Sequence, residues 1–122
     1  MILHHGTSAL PPPALYSSEE GFNINYSNEG MWGKAIYFAV NSSYSNSYSS
    51  KLPSGERQMF HARVIIGNTI VMNPDGKLRE PPMKADGIAR HDSVQGFTGN
   101  SDVFMVYSNK KAYPEYLIIY KP

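Results

Sequence analysis

The chain has 122 residues, a formal net charge of +1 and no cysteine. This length fits one domain with a modest core, and the near-neutral charge offers no basic stripe for a nucleic-acid backbone. The lack of cysteine excludes disulfides, thiolate catalysis and cysteine zinc sites, and it fits a reducing compartment. No apolar run approaches the roughly 20 residues that cross a bilayer. We therefore expect a cytoplasmic or nuclear protein without a signal peptide.

The first half of the sequence alternates short apolar runs with polar loops. A strand is predicted over residues 2–5, then a turn and a short helix over 14–20 that Gly21 would cap. Residues 23–34 are predicted as a loop broken by glycines, and residues 35–40 as a buried strand. A helix is predicted over 42–50. Its serines and asparagines are poor helix formers, so tertiary contacts or a ligand would have to hold it.

The second half is richer in strands. The longest predicted strand covers residues 58–66, and its apolar residues break strict alternation, which is typical of a strand covered on both faces. A turn at Gly67 and Asn68 predicts a hairpin with a strand over 68–72, whereas residues 73–91 are predicted as mostly loop. Further strands are predicted over 102–107 and 115–120. The fold class is therefore α+β or mainly β, because the helices are too few and too unevenly spaced for βαβ repeats.

The four histidines show no recognisable metal-ligand spacing. His4 and His5 are adjacent, so on a strand they face opposite sides and cannot chelate one ion together. His61 and His91 lie in other predicted elements, so nothing in the spacing supports a three-histidine zinc site, and we expect no metal. We interpret His4 as an exposed strand residue. His5 is either a hydrogen-bonded histidine beside a turn or a functional group.

Tyrosines and serines near the predicted second helix form a more specific pattern. On a helix Ser45 and Tyr48 are three residues apart and share a face, and Tyr44 and Tyr48 can stack along one side. Tyr37 lies on the strand just before. A hydroxyl donor beside aromatic faces suits a small planar amide, which takes stacking and a hydrogen bond. The alternative is a helix that simply packs its tyrosines on the sheet.

Several segments recur in a recognisable order. They are LHHGTS at 3–8, GF at 21–22, GMWGKAIYFAVNSSYSNSY at 30–48, MFHARVIIG at 59–67, DSV at 92–94 and VFMVYSNKKAYPEYLIIY at 103–120. Together they resemble the catalytic domain of the poly(ADP-ribose) polymerase superfamily, the diphtheria-toxin-like ADP-ribosyltransferases. The ending AYPEYLIIY is most similar to tankyrases and to macrodomain-linked mono-ADP-ribosyltransferases.

The resemblance implies an ADP-ribosyltransferase fold of class α+β. In that fold two packed, mainly antiparallel sheets with short flanking helices hold an NAD cleft between them. We expect a single catalytic domain over residues 1–122, in a minimal or N-terminally shortened version.

The resemblance also implies six NAD-binding residues, which are His5, Gly6, Thr7, Tyr37, Ser45 and Tyr48. His5 and Thr7 belong to the family's H-G-[TS] motif, whose histidine bonds a ribose hydroxyl of NAD. Gly6 would grip the nicotinamide carboxamide through its backbone, and Ser45 would bond the carboxamide oxygen. Tyr37 would pack beside the nicotinamide, and Tyr48 would stack on the ring.

At the third position of the family's catalytic triad, this chain differs from the chain-elongating members. Those members carry a glutamate where this chain, counted back from Ala112, has Val103. Valine can neither polarise a ribose hydroxyl nor activate an acceptor, and Glu115, twelve residues later, is interpreted as structural. The triad of His5, Tyr37 and Val103 is similar to that of mono-ADP-ribosyltransferases, whose carboxylate acceptor completes the site.

Three functions are compatible with these residues. The first is a mono-ADP-ribosyltransferase that transfers ADP-ribose from NAD to an acceptor and releases nicotinamide, and the intact NAD-binding positions favour it. The second is a catalytically silent binding module, which Val103 and Ala35, an alanine where the family has glycine, favour. The third is an NAD glycohydrolase with water as the acceptor.

We expect NAD as the substrate and a monomer that binds no membrane. Its acceptor would be a protein, the chain itself included, or a nucleic-acid end. We also expect His5 and Tyr37 to lie on neighbouring strands, with both side chains directed into one cleft.

Overall fold

The computed structural model describes residues 1–6, 22–27 and 29–121. Its strands are β1 Ile2–His5, β2 Glu29–Gly30, β3 Gly33–Lys34, β4 Ile36–Ala39, β5 Ser50–Lys51, β6 Arg57–Val64, β7 Thr69–Val71, β8 Ser93–Thr98, β9 Ser101–Val106 and β10 Ala112–Tyr120. Its helical segments are α1 Ser42–Asn46 and two 3₁₀ turns, Ile24–Tyr26 and Asn109–Lys111. Thr7 and the helix predicted over 14–20 lie outside the described residues.

Most strands form one hydrogen-bonded sheet in the order β10-β6-β1-β4-β9-β8-β7, with β5 attached to β6. All of its pairs are antiparallel except β7 with β8, and β2 and β3 form a small separate ribbon. In the middle of the large sheet β1 lies beside β4, and His4 pairs with Ala39. The α+β, mainly antiparallel architecture is confirmed. Within the described ranges no helix is long and apolar enough to cross a membrane.

Both faces of the central strands are buried, each in its own cluster. The phenylalanine core consists of Leu3, Phe22, Ile36, Phe38, Phe60, Ala62, Val64, Phe104, Val106 and Ala112. The tryptophan core consists of Trp32, Ala35, Ala39, Val94, Val103 and Met105. Because side chains alternate along a strand, Phe38 enters the first core and Ala39 the second. This explains why the sequence of β4 lacks a polar alternation.

The helix predicted over 42–50 is shorter than expected, because α1 ends at Asn46 and a turn follows. Asn41 precedes it in extended conformation but makes no side-chain cap. Its side-chain amide instead donates to the Asn100 carbonyl at 2.8 Å. At the other end the Tyr120 hydroxyl donates to the Asn46 side-chain oxygen at 2.5 Å. Tertiary contacts therefore hold this helix, as its poor intrinsic propensity requires.

The hairpin predicted at Gly67 and Asn68 is wrong. The strand after this turn, β7, pairs in parallel with β8 and not with β6. The Asn68 N–H donates to the Asp92 carboxylate at 2.8 Å, and the Asp92 N–H donates to the Asn68 carbonyl at 2.7 Å. These two bonds attach the turn to the start of β8, so the chain leaves β6 instead of folding back on it.

Further elements lie where the sequence predicted none. Strand β8 contains Gly96, whose backbone lies directly against the Trp32 indole and leaves no room for a β-carbon. The loop predicted over 23–34 contains a 3₁₀ turn and the β2–β3 ribbon. The glycines that hid these elements in the sequence are the residues that let the backbone approach a neighbouring side chain closely.

Candidate active site

The end of β1 lies against the backbone that follows α1. A β-carbon at Gly6 would come within 2.5 Å of the Ser45 carbonyl oxygen and of the Tyr48 carbonyl carbon. These neighbours are backbone atoms, so they cannot turn aside as a flexible side chain would, and glycine alone fits. The structure thus brings together three of the predicted NAD-binding residues.

Ser45 and Tyr48 present a buried hydroxyl and an open ring at this point. Ser45 is 3% exposed, whereas Tyr48 is 50% exposed. The Tyr48 ring tilts at 45° against the Tyr44 ring, with centroids 5.3 Å apart. A half-exposed aromatic face suits stacking on a planar amide, and a serine hydroxyl can donate a hydrogen bond to its oxygen.

His5 is fixed by the backbone of the neighbouring strand. Its Nδ1 lies 2.6 Å from the Tyr37 carbonyl oxygen, so Nδ1 carries the proton and donates, which leaves Nε2 as an acceptor. Its ring packs against Phe22 and Phe38, with centroids 4.9 Å and 5.2 Å away. Burial lowers the pKa of His5 to about 4, and the bond to the Tyr37 carbonyl opposes only part of this shift. The imidazole is therefore neutral near pH 7.

Tyr37 lies on β4 beside β1, but its side chain does not converge with that of His5. Its hydroxyl donates to the Gly33 carbonyl at 2.8 Å and accepts from the Trp32 N–H at 2.9 Å. The phenol packs on the tryptophan core, whereas His5 contacts Phe38 of the phenylalanine core. Neighbouring strands are thus confirmed, while the expectation that both side chains share one cleft is not met. Side-chain alternation along β4 is the reason.

Val103 lies in a row of residues that crosses the sheet. Ala39 pairs with His4 on β1 and with Val103 on β9, so these three residues share one face. Val103 is completely buried in the tryptophan core. Val103, which the sequence predicts as the third triad position, therefore offers neither a carboxylate nor contact with solvent.

Ala35 and Glu115 take structural places. Ala35 is completely buried in the tryptophan core, so its methyl group contributes to packing. The Glu115 carboxylate lies on β10 and pairs with the Arg63 guanidinium at 2.9 Å. This ion pair supports the interpretation of Glu115 as structural.

His4 is more enclosed than the sequence indicated. Its ring meets the His61 ring edge-on at 4.5 Å, and its Nδ1 lies 3.2 Å from the Ala39 carbonyl oxygen. Burial, and then the nearby His4, lower the pKa of His61. Among the residues that the structure describes, no group of three or more His, Asp or Glu side chains is placed to hold a metal ion.

Two residues that sequence reasoning did not assign to the site hold the β2–β3 ribbon in place. The Tyr107 hydroxyl donates to the Trp32 carbonyl at 2.7 Å, and the Trp32 indole N–H donates to the Met72 carbonyl at 3.1 Å. The sequence feature that could have revealed this packing is the single tryptophan, Trp32, in a polar segment interrupted by glycines. A buried tryptophan usually needs a hydrogen-bond partner for its indole N–H.

The sequence pattern of the poly(ADP-ribose) polymerase catalytic domain matches residues 1–91. The chain therefore belongs to the poly(ADP-ribose) polymerase catalytic domain family. A protein of Dictyostelium discoideum named as a probable poly(ADP-ribose) polymerase is 40% identical over 123 residues, which cover 98% of this chain and 33% of that protein.

Two mammalian relatives are named protein mono-ADP-ribosyltransferases. PARP14 of Homo sapiens is 33% identical over 125 residues, which cover 98% of this chain and 7% of that protein. PARP12 of Mus musculus is 32% identical over 118 residues, which cover 97% of this chain and 16% of that protein. The chain thus spans about a third or less of the length of these relatives.

Proposed function

We propose that the chain is the catalytic domain of a mono-ADP-ribosyltransferase, which transfers one ADP-ribose unit from NAD to an acceptor and releases nicotinamide. The observation that carries this proposal is the close fit of Gly6 against the backbone of Ser45 and Tyr48. Membership of the family and the names of the mammalian relatives support it.

Each NAD contact then uses one group of the candidate site. The Gly6 backbone N–H and carbonyl pair with the oxygen and the amide of the nicotinamide carboxamide, and the Ser45 hydroxyl donates to the same oxygen. The half-exposed Tyr48 ring stacks on the nicotinamide. Neutral His5 has its proton on Nδ1, so its Nε2 is the ring nitrogen that accepts a hydrogen bond from a ribose hydroxyl.

The transfer is a substitution at the C1′ carbon of the nicotinamide ribose. The bond from C1′ to the pyridinium nitrogen breaks, and nicotinamide leaves as a neutral molecule with the electron pair. C1′ develops oxocarbenium character, as in glycoside hydrolysis. A carboxylate oxygen of the acceptor protein forms the new C1′–O bond and gives an ester. No proton moves, because the carboxylate is ionised at neutral pH, so buried Val103 is sufficient at the third triad position.

The experiment incubates the full chain with NAD that is labelled in its ADP-ribose part and follows both protein and products by mass spectrometry. The proposal expects protein that carries single ADP-ribose units, together with free nicotinamide. Free ADP-ribose with unmodified protein would instead identify an NAD glycohydrolase, and binding without turnover would identify a silent module. Labelled oligonucleotide, when one is supplied, would identify a nucleic-acid acceptor.

A matched pair of variants ties the activity to this site. Ser45→Ala removes the buried hydroxyl and should weaken NAD binding by about tenfold, because the carboxamide oxygen loses a buried partner. Ser43→Ala makes the same change at an exposed position of the same helix and should leave binding unchanged. Equal affinity of the two variants would contradict the assigned site.

A further inference from the structure

We propose that the β8–β9 turn, residues Gly99–Ser101, positions the nicotinamide-binding residues of α1, and that Tyr44 is the positioning residue that links them. The inference rests on the proposed function, because it takes Ser45 and Tyr48 as the groups that hold nicotinamide.

The first link runs between the turn and the start of α1. The Asn41 N–H donates to the Ser101 hydroxyl at 3.0 Å, and the Asn41 side-chain amide donates to the Asn100 carbonyl at 2.8 Å. The Val40 N–H also donates to the Asp102 carbonyl at 3.0 Å. A helix of five residues does not hold its own direction in water. These bonds to the turn therefore decide where α1 begins and how it is aimed.

The second link runs from the turn through Tyr44 to Tyr48. A β-carbon at Gly99 would lie 2.6 Å and 3.0 Å from two carbons of the Tyr44 ring. The same ring meets the Tyr48 ring at a centroid distance of 5.3 Å. Tyr44 also packs on the tryptophan core. Its ring is thus held between the turn on one side and the half-exposed Tyr48 on the other.

The Tyr44 and Tyr48 rings meet at a tilt of 45°. Burial, and then the neighbouring Tyr48 phenol, raise the pKa of Tyr44, so its hydroxyl stays protonated at physiological pH. A phenylalanine keeps the ring in place, while an alanine removes the support from Tyr48. Because Tyr44 would act on nicotinamide only through Tyr48, loss or displacement of its ring should weaken nicotinamide binding even in a variant that remains folded.

The decisive comparison is between Gly99→Ala and Gly87→Ala. Both glycines have positive φ, 56° and 69°, so an alanine is similarly strained at either position. A β-carbon at Gly87 meets nothing within 4 Å, whereas one at Gly99 must displace the Tyr44 ring. The control, Gly87→Ala, therefore introduces the same kind of backbone strain without a clash against the Tyr44 ring.

Binding of NAD and of benzamide, a nicotinamide analogue, is measured by calorimetry beside the melting temperature of each full-chain variant. Gly99→Ala should weaken benzamide binding by about tenfold and Gly87→Ala by less than about twofold. Both variants should lose melting temperature through backbone strain, and Gly99→Ala should lose more because it also displaces a ring that packs on the tryptophan core. Tyr44→Ala should weaken binding by a similar amount to Gly99→Ala, and Tyr44→Phe should bind like the parent. Adding Gly99→Ala to Tyr44→Ala should cause no further loss, because the ring that it displaces is gone.

The outcomes separate this inference from the proposed function. A parent protein that binds neither NAD nor benzamide overturns the proposed function and the inference with it. A parent that binds both, with Gly99→Ala matching Gly87→Ala in affinity, overturns only the inference. Additive losses in the double variant would also overturn it, because they show that the turn does not act through Tyr44.

Discussion

At the scale of single residues, the adjacent positions Gly6 and His5 serve the site in different ways. Position 6 requires glycine, because the β-carbon of any other residue would clash with the backbone of Ser45 and Tyr48. His5 serves the site through its neutral, singly protonated imidazole ring. Its Nδ1 proton is engaged by the Tyr37 carbonyl, and its apolar surroundings keep the ring neutral. In the proposed function Gly6 allows the close approach of the two backbones, and His5 supplies an oriented hydrogen-bond acceptor.

Tyr48→Ala should weaken benzamide binding by about tenfold, because it removes an aromatic pair of roughly 1 kcal/mol or more. Stability should change little, since the ring is 50% exposed. Tyr113→Ala is the control, because Tyr113 is 60% exposed on β10. Calorimetry checks affinity, and thermal melting checks folding. If Tyr48→Ala binds benzamide as tightly as the control does, another ring is the stacking platform.

The neutral state of His5 predicts a dependence of stability on pH. The pKa of His5 falls from the ordinary value of 6.5 to about 4 on folding, so below pH 6.5 the unfolded chain binds a proton before the folded one. The free energy of unfolding should therefore drop as the pH falls from about 6.5 towards 4, by up to about 3 kcal/mol. Urea titrations above about pH 4.5, where most carboxylates stay ionised, measure this drop. In His5→Phe the pH dependence should be much flatter, and an unchanged slope would assign it to other groups.

At the scale of elements, the β2–β3 ribbon is assembled around the Tyr37 phenol. The hydroxyl bonds Gly33 and Trp32, and a β-carbon at Gly30 would lie only 2.6 Å from it. A ribbon of two residues per strand cannot be stable alone. Its place over the tryptophan core is therefore set by this hydroxyl and by the buried indole.

Tyr37→Phe should loosen the ribbon while keeping the aromatic ring. It leaves the Trp32 N–H and the Gly33 carbonyl without this partner, which should cost about 1–2 kcal/mol of unfolding free energy. Limited trypsin digestion should then cut faster after Lys34, the last residue of β3. Tyr107→Phe, which removes one bond to the Trp32 carbonyl, is the control and should have a smaller effect. Unchanged digestion of Tyr37→Phe would contradict this role.

At the scale of the whole molecule, the sheet determines which groups the site can offer to an acceptor. The cross-strand row of His4, Ala39 and Val103 places Val103, the predicted third triad position, in the buried tryptophan core. Elongation of an ADP-ribose chain requires a ribose hydroxyl to be activated, and a general base contributes roughly a hundred- to ten-thousandfold there. Val103 supplies none. A carboxylate acceptor needs no such help.

Long exposure of the parent to excess NAD should thus give single ADP-ribose units at each modified position. Val103→Glu should not convert it into an elongating enzyme, because a carboxyl group in the tryptophan core is desolvated and its pKa is raised. Val103→Gln is the control, because glutamine has the size and polarity of glutamate but cannot carry a charge. Gels and mass spectra check both variants and the parent. A ladder of ADP-ribose units on one residue of the parent would refute the assignment.

Much of the proposed site could be predicted from the sequence, because the groups that we propose to bind nicotinamide come from short local segments. LHHGTS supplies His5 and Gly6, and the segment after β4 supplies Ser45 and Tyr48. Local spacing also predicted most strands, since a buried strand must be a continuous apolar run. It missed β8 and gave β7 the wrong partner, because the β7–β8 pairing follows from contacts between Asp92 and Asn68, which are far apart in the sequence.

The sequence by itself determined the family, the candidate nicotinamide-binding residues and the valine at the third triad position, because these follow from residue identity and local order. Only the tertiary structure decided that the Tyr37 side chain points away from His5 and bonds the β2–β3 ribbon. It also decided that Val103 is completely buried. It also placed Tyr44 between Gly99 and Tyr48. These features depend on contacts between residues up to tens of positions apart, and no local pattern encodes which distant surfaces will meet when the apolar faces are buried.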